Sequence, residues 1–448
     1  MKYLTINFLL LLCTLLNAQP ILNDYIRVGL ENNLALIQKQ QNYYISLEQL
    51  KQARGLFYPS LSLNARYTVS EGGRVIEFPA GDLLNPVYST LNQLTASNNF
   101  PVLENQEIAF LRPREHETKL RLVQPVFNTD IYFNAKIRKE QMTSEQISLD
   151  QYKRELATEI KKAYYNAGMA EGVMAMLKET RQLLIENVRI NTKLFENDKV
   201  TRDVVLRSQT ELYKFDQQMS NATKNREISK AFFNFLLNRP LSDSILIEEP
   251  GTWQVPAESV SDYISLAVSN REEISNLEQY SKISDLAVSM NRSGSLPDIM
   301  LVADYGFEGE KYAFNKNQDY IQASAVLSWD IFAGFQNRAR IKQSMITQDR
   351  VQKQLEEVKN QIRLQVISSI HDLRTSEAGY IAAQQQVTAA REVFRLVNRR
   401  YQEGQASLIE FLDARNTLTQ AEENVIISKY TCLSKFAEFE NVIAVNNQ

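Results

Sequence analysis

The sequence predicts a mainly α-helical protein with a small β part, built twice from one unit of strand hairpin and long helices. Three observations carry this. First, the chain repeats itself. Asp24-Tyr25-Ile26 returns as Asp262-Tyr263-Ile264, and Tyr58–Tyr67 (YPSLSLNARY) returns at the same offset as Leu296–Tyr305 (LPDIMLVADY). Later Leu122–Phe127 pairs with Leu327–Phe332, and Phe195–Leu206 with Tyr401–Leu412, at a shorter offset because the first half carries an insertion. Second, only 14 of 448 residues are Gly and 11 are Pro. No Pro lies between Val126 and Arg239, or from Asp298 onward, which predicts very long helices. Third, four stretches alternate apolar and polar residues with period two, the pattern of half-buried strands.

The strands come in pairs. In Ser60–Ser70, Leu61, Leu63, Ala65, Tyr67 and Val69 alternate with Ser62, Asn64, Arg66 and Thr68. Thr118–Phe127, Asp298–Phe307 and Tyr320–Trp329 repeat the pattern. A soluble sandwich would press such apolar faces on a core; strands of about 9–11 residues also suit an outer-membrane barrel. Four strands cannot close a barrel, which takes at least about eight, and open edges are not tolerated in lipid. Three copies sharing one barrel would supply about twelve.

The helices follow the strands. Asp130–Phe195 and Gln336–Arg400 each read as a helix of about 100 Å at 1.5 Å per residue. The second carries a seam of Val351, Leu355, Val358, Ile362, Val366, Ile370 and Leu373, the spacing of coiled-coil packing. Turn-like segments (Glu196–Arg202, Gln402–Ser407) lead into second helices of about 35 residues. Pro240, Pro250, Gly251 and Pro256 mark a linker between the halves. Glu71–Glu115, with Gly72, Gly73, Pro79, Pro86, Pro101 and Pro113, reads as a long loop in the first hairpin.

Several function classes fall away. Net charge is −3 with no basic block, so nucleic acid is not an expected partner. Two His and two Cys leave little for metal or nucleophile chemistry, and no enzyme, metal or cofactor is expected. Lys2, the apolar run Leu4–Leu16 and Ala18 form an export signal, read against the alternative of a hydrophobic start to a buried helix. Leu12, bulky before Cys13, argues against a lipid anchor. After cleavage one Cys remains, Cys432, so no intrachain disulfide is expected.

Tyr401–Leu418 (YQEGQASLIEFLDARNTL) and Ala53–Leu63 (ARGLFYPSLSL), in this order and duplicated, resemble the TolC-like outer-membrane efflux proteins. The first is similar to the family's helix-turn signature, Tyr-x-x-Gly followed by an acidic-aliphatic run ending Leu-Asp-Ala; the second to its Pro-bearing passage from helix to strand. The resemblance implies a homotrimer with a 12-stranded transmembrane β-barrel in outer-membrane lipid, continued by a periplasmic α-helical barrel. It also implies two partners, a periplasmic adaptor (membrane fusion) protein and an inner-membrane pump of RND or ABC type. The chain then divides into a signal peptide (1–18), periplasmic helices (19–59), a first hairpin (60–127) with its external loop (71–115), and a first helical hairpin (128–239). A linker (240–261), second periplasmic helices (262–297), a second strand hairpin (298–332) and a second helical hairpin (333–448) complete it.

Glu410 and Asp413 lie three residues apart at a helix start and share one face, where the helix dipole alone would favour acids. The resemblance implies that both, with Asp203 of the first half, line a closed periplasmic aperture. It further implies that Asp198, Tyr401 and Gly404 mark adaptor-docking turns. Asp198 stands where the family's turn usually has Gly, Ala406 where some relatives carry an Arg tie, and Val204 at a position acidic in some. The resemblance thus implies a passive exit duct for efflux or type I secretion. A structural or adhesive coiled-coil surface protein is the alternative, which would need no duplicated strands.

Overall fold

A computed structural model describes residues 20–251 and 259–445. The export signal, Cys13 and Pro256 lie outside the described residues. In chain order the elements are α1 (Pro20–Asn32), α2 (Leu34–Gly55), β1 (Ser60–Val69), β2 (Val75–Phe78), α3 (Ala80–Thr95), β3 (Gln106–Ala109), β4 (Arg114–Phe127), α4 (Thr129–Glu196) and α5 (Arg202–Leu236). The second half gives α6 (Val260–Asn270), α7 (Glu272–Ser293), β5 (Asp298–Gly309), β6 (Asp319–Ser328), α8 (Gln336–Gln402) and α9 (Leu408–Val442). The chain forms two compact units. One holds residues up to Glu48, Arg138–Asp285 and residues from Met345; the other holds Gln49–Ile137 and Leu286–Ser344.

The helical unit shows the duplication at the level of single atoms. Asn33, between α1 and α2, donates from Nδ2 to the Leu236 carbonyl at the end of α5 (2.8 Å) and accepts from the Leu36 amide (3.0 Å). Its counterpart Arg271, between α6 and α7, donates to the Val442 carbonyl at the end of α9 (3.2 Å). Tyr25 meets Phe233 edge-on at 5.0 Å, and Tyr263 meets Phe439 edge-on at the same 5.0 Å. Each pair anchors its own core. Leu22, Ile160, Tyr164, Phe233 and Leu237 are buried together in the first repeat; Tyr263, Ile362, Val366, Ile370, Leu373 and Phe439 in the second. Burying each such side chain contributes about 1.5–3 kcal/mol, so these clusters hold the short helices to the long ones.

The long helices stop where the backbone turns left-handed. α4 runs 68 residues and ends before Asp198 (φ 54°); α8 runs 67 and ends before Gly404 (φ 73°). At both ends an amide reaches back to a helix carbonyl, Lys199 to Leu194 (2.8 Å) and Gln405 to Arg400 (2.7 Å), closing the last turn. The return helices α5 and α9 each run 35 residues.

In the strand unit, β1-β4-β5-β6 form one antiparallel sheet, with β1 and β6 at its edges. The duplication meets at β4–β5, where a register shift at Pro125/Phe127 accommodates a proline that has no amide to donate. The expected loop 71–115 is instead largely folded. β2 and β3 pair as a small sheet, α3 lies between them in sequence, and β4 begins at Arg114 rather than Thr118. Gly73 takes φ 108° just before β2, a conformation open to glycine alone.

Candidate functional site: the two-faced sheet and the helix-hairpin turns

Period-two alternation sends successive side chains to opposite faces, and the register aligns those faces across all four strands. One face carries Leu61, Leu63, Leu120, Leu122, Leu301, Tyr305 and Ile321, which are 40–82 % exposed. A soluble sandwich would cover this face, and nothing described in this unit covers that central run. The other face is ionic. Arg121 grips Asp304 with two bonds, Nε to Oδ1 (2.9 Å) and Nη2 to Oδ2 (2.7 Å). Lys119 donates to Glu117 (2.5 Å), Tyr320 donates to the same Glu117 oxygen (3.0 Å), and Arg66 stands 3.7 Å from Glu117. An uncovered apolar face backed by a charged one is the inverse of a soluble domain and suits lipid outside and water inside.

His116 lies at one end of the apolar face, paired in register with Tyr67 and Gly309. It is fully buried beneath Tyr312, at 4.5 Å between ring centroids, and Phe314. His371 is exposed on α8. Among the described residues no three potential metal ligands group together, and no helix is long and apolar enough to cross a membrane.

At the tips, Glu410 is the third residue of α9 and closes a capping box. Its Oε2 accepts from the Ser407 amide (2.7 Å) while Ser407 Oγ accepts from the Glu410 amide (3.2 Å). These bonds, with Arg400 nearby, hold the Glu410 carboxyl below its ordinary range. A carboxyl depressed in this way supports the folded cap above the ordinary carboxylate range. That support is lost as pH falls through the lowered value. Glu410 and Asp413 are both exposed, so the cap leaves them open to solvent. Asp203 is exposed in the first turn of α5, bonded by the Thr201 hydroxyl and 3.7 Å from Arg207.

Tyr401 is the third residue expected at the docking turns. Its hydroxyl donates to Asn191 Oδ1 (2.8 Å), and its ring stacks on Phe411 at 4.7 Å. It ties the two helical hairpins together and is half-buried, whereas Gly404 and Asp198 stay exposed. A second tie escaped the sequence reading. Arg415 is only 4 % exposed; its guanidinium donates to Thr180 Oγ1 on α4, lies 4.0 Å from Glu422 and sits over the Phe394 ring. Burial pushes its pKa down, and Glu422 opposes that shift. The available signal was its place in the seam Phe411, Arg415, Leu418, where apolar residues are the rule.

Residues 263–443 match the family model described as outer membrane efflux protein. That match falls within the second repeat of the chain. A search of curated proteins finds no match. Among solved structures, this chain is similar to the Campylobacter jejuni CmeC outer membrane channel, at 16% identity and TM-score 0.76, over 95% of this chain and 85% of that one. It is also similar to VceC from Vibrio cholerae, at 13% identity and TM-score 0.75, over 95% and 97%. The Neisseria gonorrhoeae MtrE outer membrane channel in its open state gives 17% identity and TM-score 0.75, over 95% and 89%. These likenesses establish the fold over both repeats, including the first, which the family model does not reach.

Proposed function

We propose that three copies of this chain build a passive exit duct through the outer membrane, fed by an inner-membrane pump through a periplasmic adaptor. The observation that carries this is the sheet: an apolar face left bare, an ionic face behind it, and two open edges, β1 and β6. In lipid those edges must find partners, and further copies of the same sheet supply them without a new surface. The ionic face then lines water. The duct does no covalent chemistry; selection among cargoes rests with the pump, of RND or ABC type.

In this reading Glu410, Asp413 and Asp203 ring the periplasmic aperture, and the turns at Asp198 and Gly404 meet the adaptor. Three-fold symmetry multiplies each exposed acid into a ring of carboxylates, which attracts cations and repels anions. The test is ion conduction by the purified protein in planar bilayers. The wild type should open in discrete, cation-selective steps that divalent cations block. In E410Q/D413N the glutamine can keep the capping box while the charge goes, so selectivity and divalent block should fall with the helix cap intact. No conduction at all would favour the structural or adhesive reading. Unchanged selectivity would reduce both acids to capping groups.

A further inference from the structure

The folded insertion is more than a loop braced across a hairpin. α3 is fixed in place by side-chain amides that imitate strand pairing with the segment returning below it. Asn85 donates to the Leu103 carbonyl (2.9 Å) and accepts from the Leu103 amide (2.8 Å). Asn92 does the same with Phe100, at 2.8 and 3.1 Å. Asp82 and Asn105 close the N-terminal end with two more bonds. The helix packs so tightly here that a Cβ on Gly81 would stand 2.4 Å from the Leu103 carbonyl oxygen. These contacts fix which way α3 faces, and they turn its apolar side outward. Leu83, Val87 and Leu94 are 63 %, 52 % and 78 % exposed, and with Leu91 they form one narrow stripe at spacings of four and three. A rigid helix that presents such a stripe to water is a docking element.

Its composition selects the occupant. α3 carries no Lys or Arg, and Asp82 is its sole charge. Helices that lie on membrane surfaces carry basic residues on the polar face for anionic headgroups, and α3 has none to offer. An uncharged apolar stripe meets a copy of itself with no like-charge repulsion. The connection also points there: α3 follows directly from β1 and the short β2, and β1 is an edge strand that needs a second copy beside it in lipid. We infer that the α3 helices of the three copies pack on one another through Leu83, Val87, Leu91 and Leu94, forming an apolar helical collar between subunits on the side of the barrel where this hairpin turns. The inference rests on the trimer proposed above.

Two variants of the full-length protein in intact cells, each adding one cysteine, test it, with the mass of the solubilised particle measured alongside. Leu94→Cys sits in the stripe, and Ser89→Cys lies on the polar side of the same helix, at an exposed position. The native Cys432 is buried, so the wild type reports the background. The Ser89→Cys variant should react readily with a membrane-impermeant maleimide, and the Leu94→Cys variant on the order of tenfold more slowly. A short bismaleimide should join copies of Leu94→Cys to one another, and not copies of Ser89→Cys; Val87→Cys should behave as Leu94→Cys does. A trimer in which Leu94→Cys reacts as fast as Ser89→Cys overturns the collar. A trimer in which the thiol of Leu94→Cys is shielded but never joined to another copy also overturns it, because lipid or another protein then covers the stripe. If no trimer forms, the duct reading fails first and the collar with it.

Discussion

Arg415 and Glu410 show how differently a charge can be employed a few residues apart. Glu410 was legible in the sequence as an acid at a helix start, where the dipole favours it, and the structure adds its capping box with Ser407. Arg415 was not, because an arginine on a helix ordinarily reads as a solvated face, and only the neighbouring hairpin buries it. Its partner Thr180 lies on the other repeat's long helix, so no local pattern links the two. Removing one partner and removing the charge should therefore differ. Thr180→Val leaves a buried guanidinium hydrogen unmatched and should cost about 1–3 kcal/mol. Arg415→Leu removes the charge and its desolvation together and should be near neutral, since an apolar residue of similar size often replaces a buried ion at no loss. Thermal unfolding of both variants in detergent checks this. Equal destabilisation by the two would show that the guanidinium contributes through packing rather than through its bond to Thr180.

The helices and the four large strands were legible because their signals are local and long. Proline-free stretches set the helices, and the observed ends of α4 and α8 fall within two residues of the expected ones. Period-two alternation set β1, β4, β5 and β6, with β4 growing four residues at its N-terminal end. The insertion was not legible. α3 contains Pro86 and is flanked by turn residues, and its order depends on amide bonds to a segment that returns later in the chain. The two tip turns make a paired test. Asp198 holds φ 54° and Gly404 φ 73°, the same turn built once with a side chain and once without. Asp198→Gly should relieve about 0.5–1 kcal/mol of backbone strain. Gly404→Leu has open space for its Cβ but a strained backbone, so the chain should still fold and assemble while the tip is displaced. Capture of the adaptor by the tagged chain should drop for Gly404→Leu and persist for Asp198→Gly. Normal capture by Gly404→Leu, or loss of the assembly itself, would remove the turn from the docking surface.

At the scale of the whole molecule, the duplication explains both the fold and its incompleteness. Asn33 and Arg271, Tyr25 and Tyr263, Asp198 and Gly404 occupy matching places, so each repeat solves the same packing problem with different side chains. The helical unit closes on its own cores, whereas the sheet leaves two edges and an apolar face unsatisfied. The sequence suggested that incompleteness through strand count and alternation; which face stays bare is a property of the folded sheet. The central claim is that copies of this chain complete one another in lipid, and the mass of the detergent-solubilised particle tests it most directly. The account predicts a particle of three chains that persists in mild detergent. A monomeric particle with an intact helical unit would contradict the shared barrel and the duct built on it.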